Sequence, residues 1–368
     1  MKEKVAIITN IPAPYRVDLF YYLQTNILDY DIHVLYTSNS EDNRQWSVEN
    51  RKIINSIFLK SKVIKIKKKN DNHYIHFPAK VYAILYKLNP SIVVAFEYNP
   101  AALQAMKWCR KNSKKFIHLT DGTLNSEENI NCIQKWSRKY IIKNADAYIA
   151  SSTKAKEKLL YYGASVNKIF LSYLTVDLVK YQISRINTKC NEILYVGSLI
   201  KRKGIDLLLN ALSKVEMPYH LSIIGNGIEK ENLIKLASKY DIIDKVSFWG
   251  FLEGDDLRKK YAESTVFVLP TREDCYGLVV LEAMCASLPI VCSKYADGVY
   301  DLIDDGKNGF IIDPYNEIEF SEAITTILKD KLLAQEFSNE SSEKLSQFSF
   351  KEVAKEIIKA LDSVKTKV

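Results

Sequence analysis

Short apolar runs alternate with amphipathic segments over most of the chain. Runs such as 4–10 and 91–98 are rich in Val, Ile and Ala, as in buried parallel strands, and the segments between such runs repeat apolar residues at helical spacing. Strands that alternate with helices predict a parallel, doubly wound sheet. After a polar stretch at 179–191 the alternation starts again. The pattern therefore predicts two Rossmann-like α/β domains, at 1–180 and 181–349.

Residues 39–72 are polar and interrupt the pattern in the first half. We expect a loop there, and then a helix at 77–90 that ends before Pro90, since proline cannot continue a helix. The loop contains a basic segment, 60–69, and aromatic residues follow it. Two interpretations stay open: a solvated loop beside a core helix, or a surface that rests on an anionic membrane.

Composition narrows the class of protein. The chain has 368 residues, of which 47% are apolar and 26% charged, as in soluble globular proteins. No apolar run approaches the roughly 18 residues that a membrane-spanning helix needs, and the apolar run at 4–10 is too short for a signal peptide. Six scattered cysteines lack metal-binding spacing, which favours reduced thiols. We expect a cytoplasmic protein. If the basic segment does rest on a membrane, the protein lies on the inner face of that membrane.

Charge is distributed unevenly. Residues 1–180 contain 28 Lys and Arg against 15 Asp and Glu, whereas the remainder contains 24 against 29, which together give the net charge of +8. The first half is basic and the second mildly acidic, so we expect the two halves to bind different partners. No nucleic-acid partner is expected.

The segment 270–289, PTREDCYGLVVLEAMCASLP, carries most of the functional information. It follows a predicted buried strand and reads as a polar loop and then a helix that Gly277 opens. A helix start offers free backbone N–H groups and a positive dipole end, which suit a phosphate. Asp274 in the loop and Glu282 in the helix can hold hydroxyl groups on either side of that phosphate. A nucleotide-sugar has this arrangement of hydroxyls and diphosphate.

The same segment resembles the donor-site signature of the family 4 retaining glycosyltransferases, E-x-F-G-L-x-x-x-E-A-M-A-x-G-x-P. Tyr276 stands for the Phe, and Gly277, Leu278 and Glu282 match. Asp274 replaces the first Glu, and Ser287 replaces a Gly.

A second stretch, 195–212, resembles the family's V-G-R-L-x-x-x-K-G signature. Gly197 matches, and Lys203 falls on the phosphate-binding Lys, whose role the resemblance implies is to stabilise the departing diphosphate. Ser198 replaces the family's Arg, so a second cation must come from Lys201 or Arg202 in the same loop.

Two shorter matches follow in the family's order. Gly225 and Gly227 form its G-x-G, where the donor is expected to lie against the backbone. Phe251 ends a segment like the family's F-x-G, which meets the nucleobase; core packing is the alternative for these aromatic residues.

In the first half, polar side chains stand at the ends of predicted strands, where ligands of open α/β sheets collect. His118 and Asp121 are candidates for contact with the donor sugar or the acceptor. Tyr15, Arg16 and Glu97 are candidates for acceptor binding, with Arg16 suited to a phosphate. Ordinary surface hydrogen bonds and ion pairs are the alternative for His118 and Arg16.

No metal site is expected. Asp29 and Asp31 form a D-x-D, but they precede a predicted strand instead of following one, which is typical of turn chemistry. We expect no cofactor besides the co-substrate, a UDP- or GDP-sugar.

The resemblance implies the GT-B fold, two facing Rossmann-like doubly wound domains with a cleft between them, in which the last helix, 350–368, packs back on the first domain. It implies a retaining, metal-independent transferase whose catalytic residues include Lys203, Asp274, His118 and Asp121, and whose acceptor is a glycan or a lipid-linked glycan in bacterial surface polysaccharide synthesis. Two alternatives are a nucleotide-sugar epimerase of the same fold and a non-catalytic nucleotide-sugar-binding partner in a polysaccharide-assembly complex.

Overall fold

The chain divides into two compact units in the computed structural model, which describes residues 2–40, 53–67, 72–186 and 191–365. The N-terminal unit comprises the described residues up to Asp177 together with those from Phe350 onward. The C-terminal unit comprises the described residues of Leu178–Ser349.

The N-terminal unit contains a seven-stranded parallel sheet and a separate antiparallel hairpin. Its strands are β1 (Glu3–Thr9), β2 (Tyr30–Tyr36), β3 (Ser56–Phe58), β4 (Ser61–Lys67), β5 (Asn72–Pro78), β6 (Ile92–Phe96), β7 (Lys115–Thr120), β8 (Ala147–Ala150) and β9 (Ile169–Leu171). The strand order in the sheet is β3-β2-β1-β6-β7-β8-β9, and β4 pairs with β5. Most strand residues of the sheet are buried, because helices cover both of its faces.

The helices of this unit form two layers. They are α1 (Pro14–Asn26), α2 (Val81–Leu88), α3 (Pro100–Lys111), α4 (Cys132–Asn144), α5 (Thr153–Tyr161) and, at the other end of the chain, α14 (Phe350–Ser363). Apolar side chains of α2, α3, α4 and α5 form a core on one face of the sheet. Those of α1 and α14 form the core on the other face.

The last helix completes this second core. Val353, Ile357 and Leu361, spaced four residues apart on α14, are all buried there. The Ser172 hydroxyl donates to the Val353 carbonyl at 3.1 Å, and the Tyr30 hydroxyl donates to Asp362 at 2.6 Å.

The expectation of a loop over 39–72 is wrong for the described residues 53–67. β3 joins the sheet edge, and β4 and β5 form a hairpin. The helix predicted at 77–90 is shorter, since β5 runs to Pro78 and α2 begins only at Val81. Lys alternates with Val and Ile in β4, which is the period of a strand. Both faces of β4 are exposed, so the segment contains many lysines and its sequence resembles a polar loop. Residues 41–52 and 68–71, which the loop prediction also covered, lie outside the described residues.

The C-terminal unit contains a six-stranded parallel sheet in the order β12-β11-β10-β13-β14-β15. Its strands are β10 (Glu192–Val196), β11 (His220–Ile224), β12 (Val246–Gly250), β13 (Val266–Leu269), β14 (Ile290–Ser293) and β15 (Gly309–Ile312). Its helices are α6 (Leu178–Tyr181), α7 (Ile205–Leu212), α8 (Lys230–Lys239), α9 (Gly254–Glu263), α10 (Leu278–Cys285), α11 (Val299–Leu302), α12 (Glu317–Lys329) and α13 (Lys331–Lys344). The two doubly wound sheets that the sequence predicts are therefore both present.

Each sheet has one point where the strand order reverses. It lies between β1 and β6 in the N-terminal unit and between β10 and β13 in the C-terminal unit. Loops that leave neighbouring strands there diverge to opposite faces, so a crevice opens at the carboxyl ends of the strands. The polar residues that the sequence singles out follow these strands.

Two further expectations concern the whole chain. In the described part, no helix is both long and apolar enough to cross a bilayer. The five described cysteines are free thiols, and Cys190 lies outside the described residues.

Candidate active site

The reversal point of the C-terminal sheet brings the two main sequence motifs together. Lys203 lies in a turn after β10, and Asp274 lies in the loop after β13. The Lys203 ammonium forms an ion pair with one oxygen of the Asp274 carboxylate. The other oxygen accepts hydrogen bonds from the backbone N–H groups of Tyr276 and Gly277, each at 3.2 Å. Asp274 thus binds the two N–H groups that directly precede α10 while it pairs with the lysine.

The electrostatics of this pair follow from its surroundings. Burial alone would raise the pKa of the Asp274 carboxyl, but the Lys203 and Arg202 cations and the hydrogen bonds lower this pKa to about 2. Asp274 is therefore ionised at neutral pH. The two cations and the amino end of α10 together form a strongly positive environment, which Asp274 now balances.

Arg202 is better placed than Lys201 to be the second cation. The Arg202 guanidinium donates to the Glu273 carbonyl at 2.8 Å, which holds it beside the Asp274 loop. Lys201 pairs with Asp206 at 2.6 Å, and the Arg272 guanidinium forms two bonds to the same carboxylate at 2.7 and 2.8 Å. Lys201 is therefore paired with Asp206 and not with Asp274. The sequence analysis did not single out Asp206 or Arg272.

Glycine is required at different motif positions for different structural reasons. Gly277 has a φ of +81° directly before α10, a left-handed conformation that favours glycine and opens the helix start. A Cβ on Gly225 would lie 2.0 Å from the Gly197 carbonyl oxygen, and one on Gly227 would lie 2.1 Å from the Leu199 carbonyl oxygen. Close packing of the chain against itself therefore already requires glycine at 225 and 227, whether or not a donor lies there.

Glu282 lies within α10 and is held by two tyrosines. The Tyr261 hydroxyl donates to its carboxylate at 2.8 Å. Burial raises the pKa of Glu282, and hydrogen bonds with Tyr261 and Tyr181 limit the rise. Leu278, the first residue of α10, is half-buried, and Tyr276 is buried. Neither tyrosine partner of Glu282 was recognisable from the sequence, because each comes from a helix that is distant in the chain.

The remaining candidates of this unit lie at strand ends. Phe251 follows β12 and is 40% exposed, so its ring is available for stacking. Its neighbour Trp249 instead donates to the Ser222 hydroxyl at 3.0 Å and lies under the Lys260 ammonium. Ser198 is half-buried, and its carbonyl accepts a hydrogen bond from the Tyr195 hydroxyl at 3.1 Å.

A second cluster lies at the reversal point of the N-terminal sheet. Arg16, at the start of α1, donates to Asp121 at 2.8 Å and to the Thr9 hydroxyl at 2.9 Å. One oxygen of Glu97 accepts from the Thr120 hydroxyl and from the N–H groups of Asp121 and Gly122, at 3.0, 2.8 and 3.3 Å. The three predicted residues, Arg16, Glu97 and Asp121, therefore form one network.

The two carboxyl groups of this cluster titrate differently. Burial raises the pKa of Glu97 to about 7, opposed by the Lys158 ammonium and reinforced by Asp121. Burial acts in the same direction on Asp121, but Arg16 and a hydrogen bond with Glu97 lower the pKa of Asp121 overall. Below about pH 7 the pair therefore holds a proton on Glu97 and a negative charge on Asp121. Glu97 also has a left-handed backbone, with φ at +57°, a strain that is common at functional sites.

Three charged residues that the sequence analysis missed support this cluster. Lys158, fully buried on α5, donates to the Thr120 hydroxyl at 2.9 Å and to Glu127 at 3.1 Å. Arg138 of α4 donates two bonds to Glu127, at 3.0 and 3.1 Å. A signal for Lys158 exists in the sequence, since it occupies the same helical stripe as the buried Ala155 and Leu159.

His118 and Tyr15 are placed differently from the other candidates. His118 is fully buried, its ring lies 4.4 Å from that of Tyr98, and neither ring nitrogen has a hydrogen-bond partner among the described residues. Burial and the nearby Lys158 and Arg138 cations lower the pKa of His118 well below its ordinary value, so it is neutral. Tyr15 is half-buried beside Arg16, whose guanidinium lies 5.5 Å from the centre of its ring.

In the described ranges, no three His, Cys, Asp or Glu side chains converge as metal ligands would. Asp31 hydrogen-bonds with His33 at 3.0 Å, on the second strand of the sheet.

Comparisons with known proteins find similarity to the C-terminal unit over most of its length. Residues 179–344 match the family model described as glycosyl transferases group 1. An uncharacterized glycosyltransferase of Haemophilus influenzae is 31% identical over 207 residues, which are 55% of this chain and 58% of that protein. The chain thus spans a little over half the length of this relative.

Two further likenesses cover more of the chain. The Campylobacter jejuni N-acetylgalactosamine-N,N'-diacetylbacillosaminyl-diphospho-undecaprenol 4-alpha-N-acetylgalactosaminyltransferase is 25% identical over 248 residues, 66% of this chain and 67% of that protein. Anabaena HepE, solved in complex with UDP, superposes with a TM-score of 0.78 at 15% identity and covers 99% of this chain and 100% of that one. The last likeness establishes the fold, so the prediction of fold class is confirmed. The chain has the GT-B fold, and its residues 179–344 match the family model described as glycosyl transferases group 1.

Proposed function

We propose that the chain is a retaining, metal-independent glycosyltransferase of family 4 that moves a sugar from a nucleotide-diphosphate donor to an acceptor hydroxyl. One observation carries the proposal. Lys203, Arg202 and the amino end of α10 converge on one carboxylate, Asp274, at the reversal point of the sheet. Cations and helix N–H groups in this arrangement suit a diphosphate.

Donor binding divides among the residues of the C-terminal unit. Lys203 and Arg202 hold the diphosphate and stabilise the charge that grows as it leaves. N–H groups at the start of a helix point away from it along its axis, so the amino end of α10 adds to this binding. Asp274 holds hydroxyls of the sugar, Glu282 those of the ribose, and the exposed ring of Phe251 stacks on the base. The UDP bound to Anabaena HepE supports a UDP-sugar as donor.

In the reaction, the bond between the anomeric carbon and the diphosphate oxygen breaks, and the acceptor oxygen forms its bond on the same face of the sugar. The acceptor proton passes to the departing diphosphate. The N-terminal unit binds the acceptor through Arg16, Glu97 and Asp121, which already form one hydrogen-bonded network. Arg16 suits an acceptor that carries a phosphate.

The acceptor is a glycan or a lipid-linked glycan. The printed name of the Campylobacter relative, a transferase acting on a diphospho-undecaprenol, supports a role in lipid-linked glycan or surface polysaccharide synthesis. Such an acceptor places the enzyme at the inner face of the membrane. In the hairpin of β4 and β5, Lys62 and Lys65 are exposed beside exposed Ile64, Ile66 and Phe77, which supports a peripheral membrane contact.

The experiment that tests the function starts from nucleotide binding. Calorimetry with UDP and GDP should show binding that persists in EDTA, and a screen of nucleotide-sugars for thermal stabilisation should then identify the donor. With that donor and lipid-extract or oligosaccharide acceptors, NMR of the product should show retained anomeric configuration. Binding of neither nucleotide would contradict the proposal, inverted configuration would contradict the retaining mechanism, and loss of activity in EDTA would contradict metal independence.

A further inference from the structure

Helix α4 presents an unusual surface to solvent. Its inner face is anchored: Ile141 and Ile142 are buried in the core, and Arg138 pairs with Glu127. Its first turn is fixed by a capping box, in which Asn131 accepts from the Gln134 N–H at 2.9 Å and the Gln134 side chain accepts from the Asn131 N–H at 3.0 Å. The side chains on the outer face are therefore held in a defined position.

One stripe of that outer face is apolar and aromatic. Ile133 is 77% exposed and Trp136 is 56% exposed. Tyr140 stacks on Trp136 with ring centres 5.0 Å apart and ring planes 10° apart. The three residues follow at spacings of three and four, so they form one stripe along the helix. Exposed large apolar side chains grouped in this way mark an interaction surface.

A stripe of lysines runs beside the apolar one. Lys135, Lys139 and Lys143 are exposed and repeat every fourth residue. None of the three forms an ion pair with any residue that the structure describes, and the helix contains no Asp or Glu. The outer face of α4 is therefore purely cationic next to its aromatic stripe.

We propose that α4 lies flat in the headgroup layer of an anionic phospholipid membrane. Tyr and Trp prefer this layer, since their rings are apolar and their N–H and O–H groups are polar. Lysines on the flank of such a helix reach the phosphates of the lipids. A protein partner would need a row of acidic side chains for the lysines beside an apolar surface for the aromatic stripe. An anionic bilayer offers negatively charged headgroups and an apolar interior over its whole surface.

Docking of α4 also fixes the position of the acceptor network. The helix begins eleven residues after Asp121, so its start lies within about 40 Å of that residue even if the segment were fully extended. The tie is tighter than that, because Arg138 on α4 and Lys158 both bind Glu127. A membrane-bound α4 would thus hold the strand ends of the N-terminal sheet close to the lipid headgroups.

Vesicle flotation of the full chain tests the proposal without any sugar or nucleotide. Vesicles of phosphatidylcholine with and without phosphatidylglycerol are compared at low and high salt. The wild type should float only with anionic vesicles and less at high salt. Lys135→Gln/Lys139→Gln/Lys143→Gln should weaken partitioning by roughly 100-fold at low salt, since each lysine contributes roughly fivefold. Ile133→Ser/Trp136→Ser should weaken it at both salt concentrations.

The controls separate this surface from others. Lys331→Gln/Leu332→Ser makes similar changes at exposed positions of α13 and should float like the wild type. Brominated lipid should quench wild-type fluorescence, and Trp136→Phe should remove that quenching. A wild type that never floats, or α4 variants that float as well as the wild type, would overturn the proposal. A dimer that the same variants convert to a monomer in gel filtration would overturn it too, since the face would then belong to a second copy.

Discussion

Asp274 stands where the signature that this segment resembles has a glutamate, whose side chain is one methylene longer. The Asp274 carboxylate occupies two N–H groups at the start of α10 and the Lys203 ammonium at once. A diphosphate would use donors of the same kind. The charge of Lys203 is therefore balanced by Asp274 in this structure, and the proposed donor binding predicts that this pair rearranges.

Lys203→Ala should lower kcat by roughly 100-fold or more, because the ammonium acts on charge that develops as the diphosphate leaves. The melting temperature should change little, since Arg202 and two backbone N–H groups still stabilise Asp274. Steady-state kinetics beside thermal melts checks this. Lys201→Ala is the matched control and should keep normal turnover. Near-normal turnover in Lys203→Ala would instead assign the stabilisation of the departing diphosphate to Arg202.

Glu282→Ala should weaken nucleotide binding by about 1–3 kcal/mol, because buried hydrogen bonds to the ribose are lost. Calorimetry with the bare nucleotide measures this change. Tyr261→Phe is the control, since it removes the contact between Tyr261 and Glu282 within the chain and leaves the carboxylate. If Glu282→Ala bound the nucleotide as tightly as the wild type, the carboxylate would serve only the tyrosines.

Glu97 should make the stability of the protein depend on pH. Burial raises its pKa to about 7, above the ordinary 4.5, so the folded state holds a proton that the unfolded state has lost. The protonated carboxyl therefore stabilises the fold fully below pH 4.5, and this contribution is lost as the pH rises through 7. The melting temperature of Glu97→Gln minus that of the wild type should increase between about pH 5 and pH 8. A difference that is flat over this range would contradict the raised pKa.

At the scale of elements, the ends of neighbouring strands are packed backbone to backbone. Gly225, after β11, allows the Gly197 carbonyl after β10 to approach. Gly225→Ala should destabilise the fold by about 3–5 kcal/mol, from overpacking and from its φ of +131°. Gly306→Ala, where φ is +75° and no atom lies within 4 Å of the added methyl group, should cost only about 1–2 kcal/mol. Denaturant melts compare the two, and equal losses would contradict the packing argument.

The elements also show where a sequence pattern succeeds and where it fails. Buried strands such as β6 and β13 have continuous apolar runs between helical segments, so their period is clear. The strand β4 pairs only with β5 and exposes both of its faces over residues 62–66, so charged and apolar residues mix in it. Such a strand has no buried face to make its period visible.

At the scale of the molecule, the uneven charge should appear as lipid binding. The hairpin carries Lys62 and Lys65, and the rest of its basic run, Lys67–Lys69, is known only as sequence because these side chains lie outside the described ones. Replacing Lys65, Lys67, Lys68 and Lys69 with Gln should reduce pelleting with anionic vesicles at low salt, since each contributes about 1 kcal/mol. Nucleotide binding should stay intact. An unchanged pelleted fraction would contradict the prediction and show that the basic run is only a solvated surface.

The candidate sites were predictable where topology alone brings residues together. The ends of β1, β6 and β7 converge in any doubly wound sheet, so Arg16, Glu97 and Asp121 could be grouped from the sequence. The partners that set their charge could not, because Lys158 and Glu127 reach the cluster through helix packing and loop shape. The same holds for Tyr261 at Glu282, whose contact depends on how α9 packs in its unit.

The buried last helix also has a consequence for how the protein is made. A ribosome releases the strands of the N-terminal sheet first, together with α1, but α14, which covers the same face as α1, emerges only after the whole C-terminal unit. During translation the part of that face under α14 stays uncovered, while the C-terminal unit has all its strands and can close its own core. We expect nascent chains to need a chaperone on the N-terminal sheet, and a stop at Ser349 to leave that sheet prone to aggregate beside a folded neighbour.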